Sequence, residues 1–195
     1  MTAPRILDRK TAVPALVGSP SDFLIVSGLA GAAKDTAELT QEASNAYMLG
    51  GAMGGGVPMA FGLALAQPDR RVLAIVGDAD LLMFLGALAT VGVVQPANLA
   101  ILVVDNGHCG ETGYQEWHTN TVVDLELVAK GSGIATTHTV STEADIEAAA
   151  RSLRESNGTA FVWLRTSTAE PPKYHRNFDA VDRKNIFRKA LLGKA

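Results

Sequence analysis

A single-domain, doubly wound parallel α/β sheet is the fold this sequence predicts, on three observations. Compact apolar runs recur along the 195 residues: DFLIVSG, RRVLAIVGD, ANLAILVVDN, IATTHTV and GTAFVWLRT. Strands buried on both faces read this way, without strict alternation of polar and apolar positions. Helical segments separate the runs, in the order β-α-α-β-α-β-loop-α-β-α-β-tail, which parallel crossovers require. Glycines gather after strands, where backbone must turn tightly or approach a ligand. Gly28 and Gly31 follow the first run, Gly107, Gly110 and Gly113 the third, and Gly50, Gly51, Gly54, Gly55 and Gly56 form a cluster of their own.

Residues 1–20 read as a polar, Pro-containing lead-in with a short helix around Ile6–Ala15. Asp22–Gly28 is the first buried strand, and a short helix over Ala32–Leu39 follows. Val57–Ala66 is a helix with Pro58 in its first turn, where the missing N–H costs nothing. After the Pro68-Asp69 turn comes the second strand. Leu81–Val94 reads as one helix, apolar almost all round and therefore buried. The third strand ends at Asp105, and the polar stretch 107–121 is a long loop of the functional kind. Asp124 is placed to cap a helix over Leu125–Lys130. Ser141 or Thr142 caps another that runs to Leu153, with Glu143 and Asp145 favourable in its first turn. The fifth strand leads into a Pro-containing, basic tail with a short helix over Asp182–Leu192. The domain proper is expected over 21–168, with 1–20 as lead-in and 169–195 as tail.

Charged residues are 19% of the chain and the net charge is −3, so no basic footprint points to nucleic acid. The single Cys109 excludes an internal disulfide framework and fits a reducing compartment. MTAPRILDRK has no apolar signal region, and no apolar run approaches the roughly 18 residues of a membrane span. A cytoplasmic domain with no membrane partner is the expectation.

The chemistry is concentrated between Gly77 and Asn106. Gly77-Asp78-Ala79 ends one strand and Asp105-Asn106-Gly107 ends the next, with one helix between them. Asp78 and Asn106 should therefore lie on neighbouring strand ends, in the crevice where parallel sheets bind ligands. A carboxylate, a carboxamide and a backbone carbonyl just beyond, such as that of His108, suit Mg²⁺, which takes its remaining ligands from water and phosphate.

Here the chain resembles the diphosphate-binding domain of thiamine-diphosphate-dependent enzymes. These carry Gly-Asp-Gly, a spacer of this length, then Asn-Asn or Asp-Asn. The upstream stretch NAYMLGGAMGGGVPMAFGLALAQPDRRVLAIVGDA is similar to the segment preceding that motif in the decarboxylase branch. The resemblance implies that Asp78, the Asn106 side chain and the His108 main-chain oxygen bind Mg²⁺, which bridges two phosphates of thiamine diphosphate. It also implies that Met53 wedges between the cofactor rings and that the Gly51 carbonyl receives the aminopyrimidine N–H. Gly54, Gly77, Ala79, Asp80, Gly110 and Glu111 line the cofactor. Three departures from the family stand out: Ala79 replaces the third glycine, Asp80 stands where a small hydroxyl or alanine is usual, and Gly54–Gly56 are three glycines where the family often has a bulkier residue.

The segment CGETGYQEWHTNTVVDLELVA narrows the resemblance to small subunits of sulfopyruvate decarboxylases and related phosphonopyruvate decarboxylases. Glu111, Gln115 and His118, with Thr112, are then expected to face the crevice, binding a substrate carboxylate or assisting proton transfer. His138 and Cys109 are expected to be structural, and the basic tail a solvated face or a docking surface. In this family a glutamate on a separate pyrimidine-binding domain activates the cofactor, and no stretch here matches that domain. The resemblance implies a β-type subunit, inactive alone. Its partner is an α-type subunit, and its substrate a small 2-oxo acid that loses CO₂ to give an aldehyde. Two other classes remain open: a β subunit of a 2-oxoacid oxidoreductase, where an acidic residue also follows the glycines, and a non-catalytic cofactor- or partner-binding domain.

Overall fold

The computed structural model describes residues 4–193. Six strands form one parallel sheet: β1 (Phe23–Ser27), β2 (Ala46–Met48), β3 (Arg71–Gly77), β4 (Leu99–Asp105), β7 (Thr136–Val140) and β8 (Ala160–Arg165). Their order is β2-β1-β3-β4-β8-β7, with every neighbouring pair parallel. β5 (His108–Cys109) and β6 (Gln115–Glu116) make a separate antiparallel ribbon. The chain winds outward from β1 to β2, then returns past β1 to β3, so the sheet reverses direction between β1 and β3. That reversal opens a crevice at the strand C-termini.

Both faces are covered, as the continuous apolar runs predict. On one face Phe23, Ile25, Leu73, Ile75, Leu102 and Val104 pack with α1 (Arg9–Val17), α2 (Ala30–Thr40) and α7 (Ile146–Glu155). The alternate residues Leu24, Val26, Val72, Ala74, Ile101 and Val103 pack against α3 (Gly56–Ala66), α5 (Ala87–Val94) and α6 (Leu125–Gly131). The period of two sends successive side chains to opposite faces, and here both faces are core. All seven residues of β4 are buried.

Local signals act where expected. Asp124 accepts the Leu127 N–H at the start of α6. Thr142 and Asp145 form a capping box over a 3₁₀ turn that leads into α7. His138 on β7 bonds Ser152 through Nε2 at 2.7 Å, a structural contact.

Three expectations are corrected. The single buried helix over Leu81–Val94 is two helices, α4 (Asp78–Met83) and α5, broken at Phe84–Gly86. It is also not buried all round: Met83 is 60% exposed, Phe84 55% and Val93 86%. Its apolar outer side has no cover among the described residues. β2 lies in a segment read as a lead into the glycine cluster. The basic tail is not wholly solvated, because Arg183 of α8 (Ala180–Leu192) is buried and donates to the Ala43 and Ala46 carbonyls.

The lead-in packs tightly on the rest. Leu7 bridges to Thr166 beside β8, α1 rests on α7 and α2, and Arg9 forms a buried ion pair with Asp35 of α2. Removing one partner of a buried pair strands the other charge in low dielectric. Asp35→Ala is therefore expected to lower urea-unfolding stability by about 3–5 kcal/mol. The double variant Arg9→Met/Asp35→Leu should lose much less, and equal losses would show that the pair is not what anchors α1.

Candidate functional site

β3 and β4 are adjacent, with Gly77 opposite Val104, so Asp78 and Asn106 emerge side by side. Asp78 opens α4 and is 3% exposed. Its Oδ2 accepts the Thr119 hydroxyl at 2.8 Å, and the same hydroxyl lies 2.9 Å from Asp105 Oδ1. One hydroxyl proton cannot serve two carboxylates at once. Burial first, and the neighbouring Asp105 charge second, push the Asp78 carboxyl up to about 8, against the lowering pull of the Thr119 and Ala79 hydrogen bonds. No Lys or Arg pairs with Asp78 among the described residues.

Asp105 is the paired member. It is fully buried, and its carboxylate accepts from Arg5 Nη2 at 2.9 Å, the Gly107 N–H at 2.7 Å and Trp163 Nε1 at 2.7 Å. Its carbonyl takes Arg5 Nη1 at 2.6 Å. Arg5 continues to the Thr119 carbonyl and Asn120, tying the long loop to the β4 end. Gly107 turns there at φ 71°, where a Cβ would come within 3.1 Å of the Arg5 guanidinium.

Asn106 Oδ1 accepts the His108 N–H at 3.1 Å and keeps a second lone pair. In the β5–β6 ribbon His108 faces Glu116, while the Trp117 N–H bonds the Gly107 carbonyl. His108 thus occupies a non-hydrogen-bonded pair, whose carbonyl turns away from the partner strand. The three donors are a buried unpaired carboxylate, a carboxamide oxygen and an outward carbonyl. They fit a hard divalent cation of the Mg²⁺ type.

These groups border a crevice of about 190 Å³. Met53, Gly77, Ala79, Asp80, Gly110 and Glu111 also line it. Ala79 keeps a negative φ within α4, so replacing the third glycine introduces no strain. Gly54, at φ 87°, lies against Phe84 and donates its N–H to Asp80. Gly51 is exposed and not part of the crevice wall. Neither are Gln115 and His118, both exposed. Gln115 bonds Thr112 within the loop, and the His118 ring stands edge-on to Trp117.

Several site residues carried no sequence signal. Thr119, Arg5 and Trp163 converge on Asp105 over separations of up to 100 residues. Arg9, Ala30 and Glu170 line the crevice from the lead-in, the start of α2 and the tail. Ala30 adopts φ 57°, a left-handed conformation costly for a residue with a Cβ. Tyr114, also left-handed at φ 61°, stacks on His108 and donates its hydroxyl to the Thr168 carbonyl.

A model for the thiamine pyrophosphate enzyme C-terminal TPP-binding domain matches residues 30–164. Sulfopyruvate decarboxylase subunit beta of Methanocaldococcus jannaschii is 39% identical over 120 residues, covering 62% of this chain and 63% of that protein. The subunit of the same name from Methanococcus maripaludis is 37% identical, covering 66% and 68%. Phosphonopyruvate decarboxylase of Streptomyces viridochromogenes is 35% identical over 74% of this chain but only 36% of its own length. The matched span is thus about two thirds of the beta subunits and about one third of the phosphonopyruvate enzyme. An X-ray structure from Mycobacterium smegmatis, described as that of a thiamin diphosphate-dependent enzyme, shares the fold. Its TM-score is 0.67 at 22% identity, over 86% of this chain and 33% of that one.

The raised Asp78 carboxyl has a sign-definite consequence. Between the ordinary carboxylate range and about 8, the metal-free native state holds a proton that the unfolded chain releases. Its stability therefore falls as pH rises through that window. Thermal melts in chelator should show Asp78→Asn more stable than wild type at pH 8 and converging with it near pH 4. Parallel curves across that range would contradict the assignment.

Proposed function

The chain belongs to the thiamine pyrophosphate enzymes through their C-terminal cofactor-binding domain, and from that premise we propose that it is the diphosphate- and Mg²⁺-binding subunit of a heteromeric, non-oxidative 2-oxo acid decarboxylase. The observation that carries the reading is Asp78, a buried carboxylate without a protein cation, beside Asn106 and the outward His108 carbonyl. A divalent ion between these three would neutralise a charge that the fold otherwise leaves protonated. In this reading Gly54, Gly77, Ala79, Asp80 and Gly110 border the diphosphate, Met53 supports the rings, and the Gly51 carbonyl meets the aminopyrimidine.

Thiamine diphosphate, when bound, supplies the electron sink into which the pair from the broken carbon–carboxylate bond passes. This chain's part is to anchor and orient. A crevice of about 190 Å³ is smaller than the 300 Å³ or more of ordinary ligand pockets. It has room for the metal-bound diphosphate end, which leaves the rings and substrate to a wall from elsewhere. The uncovered Met83, Phe84 and Val93 support such a partner, since exposed apolar patches mark interfaces. So do relatives named as beta subunits. The partner is an α-type subunit carrying the pyrimidine-binding domain and the activating glutamate. Glu111, Gln115 and His118, exposed on the loop beside the crevice, would complete the substrate site from this side.

The substrate class is a 2-oxo acid with an anionic tail, of the sulfopyruvate or phosphonopyruvate kind, as the relatives' names suggest. No helix among the described residues is long and apolar enough to cross a membrane, and the net charge of −3 argues against nucleic acid. A cytoplasmic setting fits both. A single cysteine cannot hold the iron–sulfur cluster of an oxidoreductase subunit. A non-catalytic, partner-binding role is the second reading, and the position of Asp80 is what favours it.

Co-expression with the products of adjoining genes should yield a complex that binds thiamine diphosphate only with Mg²⁺ and releases CO₂ from a 2-oxo acid panel. Asp78→Ala in that complex should weaken cofactor binding by about 100-fold or more. Unchanged binding would overturn the metal assignment. A chain that purifies with no partner would overturn the split-enzyme reading.

A further inference from the structure

Asp80 is a buried acidic side chain of the crevice that the metal-site reading leaves without a role. It is 4% exposed and lies in no ion pair among the described residues. Its Oδ1 accepts the Gly54 N–H, which pulls its carboxyl down, while burial, the larger effect, pushes it above the ordinary carboxylate range. Its Oδ2 is buried and has no donor at all. The carboxylate presses against Gly28, where a Cβ would fall 1.6 Å from Oδ2 and meet no other group more closely. The residue thus spans three segments: the turn after β1, the glycine cluster before α3, and the first turn of α4.

Beside it lies backbone that an incoming anion would need. Leu29 precedes α2, an eleven-residue helix whose first turn has neither a side-chain cap nor an acidic residue. Leu29, Ala30 and Gly31 border the same crevice as Asp78 and Asn106. A half-satisfied buried carboxylate on the Gly54 N–H, packed against Gly28, takes the place a phosphate oxygen would take there, at lower charge.

Resting on the diphosphate-site reading above, we propose that Asp80 is an internal anion that occupies part of the diphosphate cradle. It packs against Gly28, holds the Gly54 loop in place without ligand, and competes with the cofactor's phosphate for the Gly54 N–H and for the space at the Gly28–Leu29 turn. Binding must then displace or neutralise it, so this chain depends more on Mg²⁺ and on its partner than a chain with a small residue there. The bare Cα of Gly28 follows from the same packing.

The full chain should be titrated calorimetrically with Mg²⁺–thiamine diphosphate and, separately, with Mg²⁺–pyrophosphate, as wild type, Asp80→Ser, Asp80→Asn and Asp78→Ala. Removing a like charge next to the diphosphate should tighten both ligands by about tenfold or more in Asp80→Ser. Asp80→Asn should give part of that gain. Binding in Asp80→Ser that is equal to or weaker than wild type, including no binding by either, overturns the proposal. A gain confined to the full cofactor overturns it too, since Asp80 would then act on the rings. If Asp78→Ala binds like wild type, the diphosphate-site reading fails instead. Folding supplies the second readout. Gly28→Ala should lower the melting temperature of wild type but be tolerated in Asp80→Ser, and equal cost in both backgrounds also overturns the packing on which the proposal stands.

Discussion

The Asp105 carboxylate, buried at the end of β4, is the interaction on which the site depends. It collects Arg5 from the N-terminal segment, Trp163 from β8, the Gly107 N–H from the loop and the Thr119 hydroxyl from the turn beyond the ribbon. A buried ion is tolerable only when its lone pairs are filled, and Asp105 fills them from four parts of the chain. Each donor is thereby fixed. The Gly107 turn sets where Asn106 and His108 point, and Arg5 fastens the loop that follows.

The same arrangement creates its own tension. Asp78, one step beyond β3, shares Thr119 with Asp105 but receives no cation among the described residues. One carboxylate is paired and satisfied; the other is left protonated, by burial first and by its neighbour second. Such splitting of a close pair follows when two like charges cannot both ionise in a shared low-dielectric site. The proposed divalent ion would resolve the conflict by replacing the proton with a stronger local charge. The scaffold and the proposed metal site are therefore two halves of one electrostatic problem.

What the sequence made legible follows the range of the forces involved. β1, β3, β4 and β8 are continuous apolar runs, and burial on both sheet faces writes itself into composition. Asp78 and Asn106 were placed side by side because one crossover unit joins their strands, a local rule. The three-residue β2 has no such run, and its pairing with β1 is decided by the sheet edge. The break at Phe84–Gly86 is hidden because apolar residues there signal burial, while the cover they call for is not among the described residues. Thr119, Arg5 and Trp163 act on Asp105 across distances that no periodicity or spacing encodes. Gln115 and His118 sat in the right segment, yet their side chains lie outside the crevice wall, because the β5–β6 ribbon turns the loop's second half outward.

Charge balance around the crevice decides between the roles open to this chain. Asp78 and Asp80 are buried in its wall and Asp105 is buried next to Asp78, and among the described residues the one direct ion pair to any of them is Arg5 on Asp105. A site meant to hold a diphosphate by protein cations alone would carry the opposite balance. Here affinity for an anion must come from backbone N–H groups and from an added metal, and Asp80 already draws on the first. This balance suits the proposed completion of the crevice by a cation and a partner's wall. Anchoring is the function its own residues can supply.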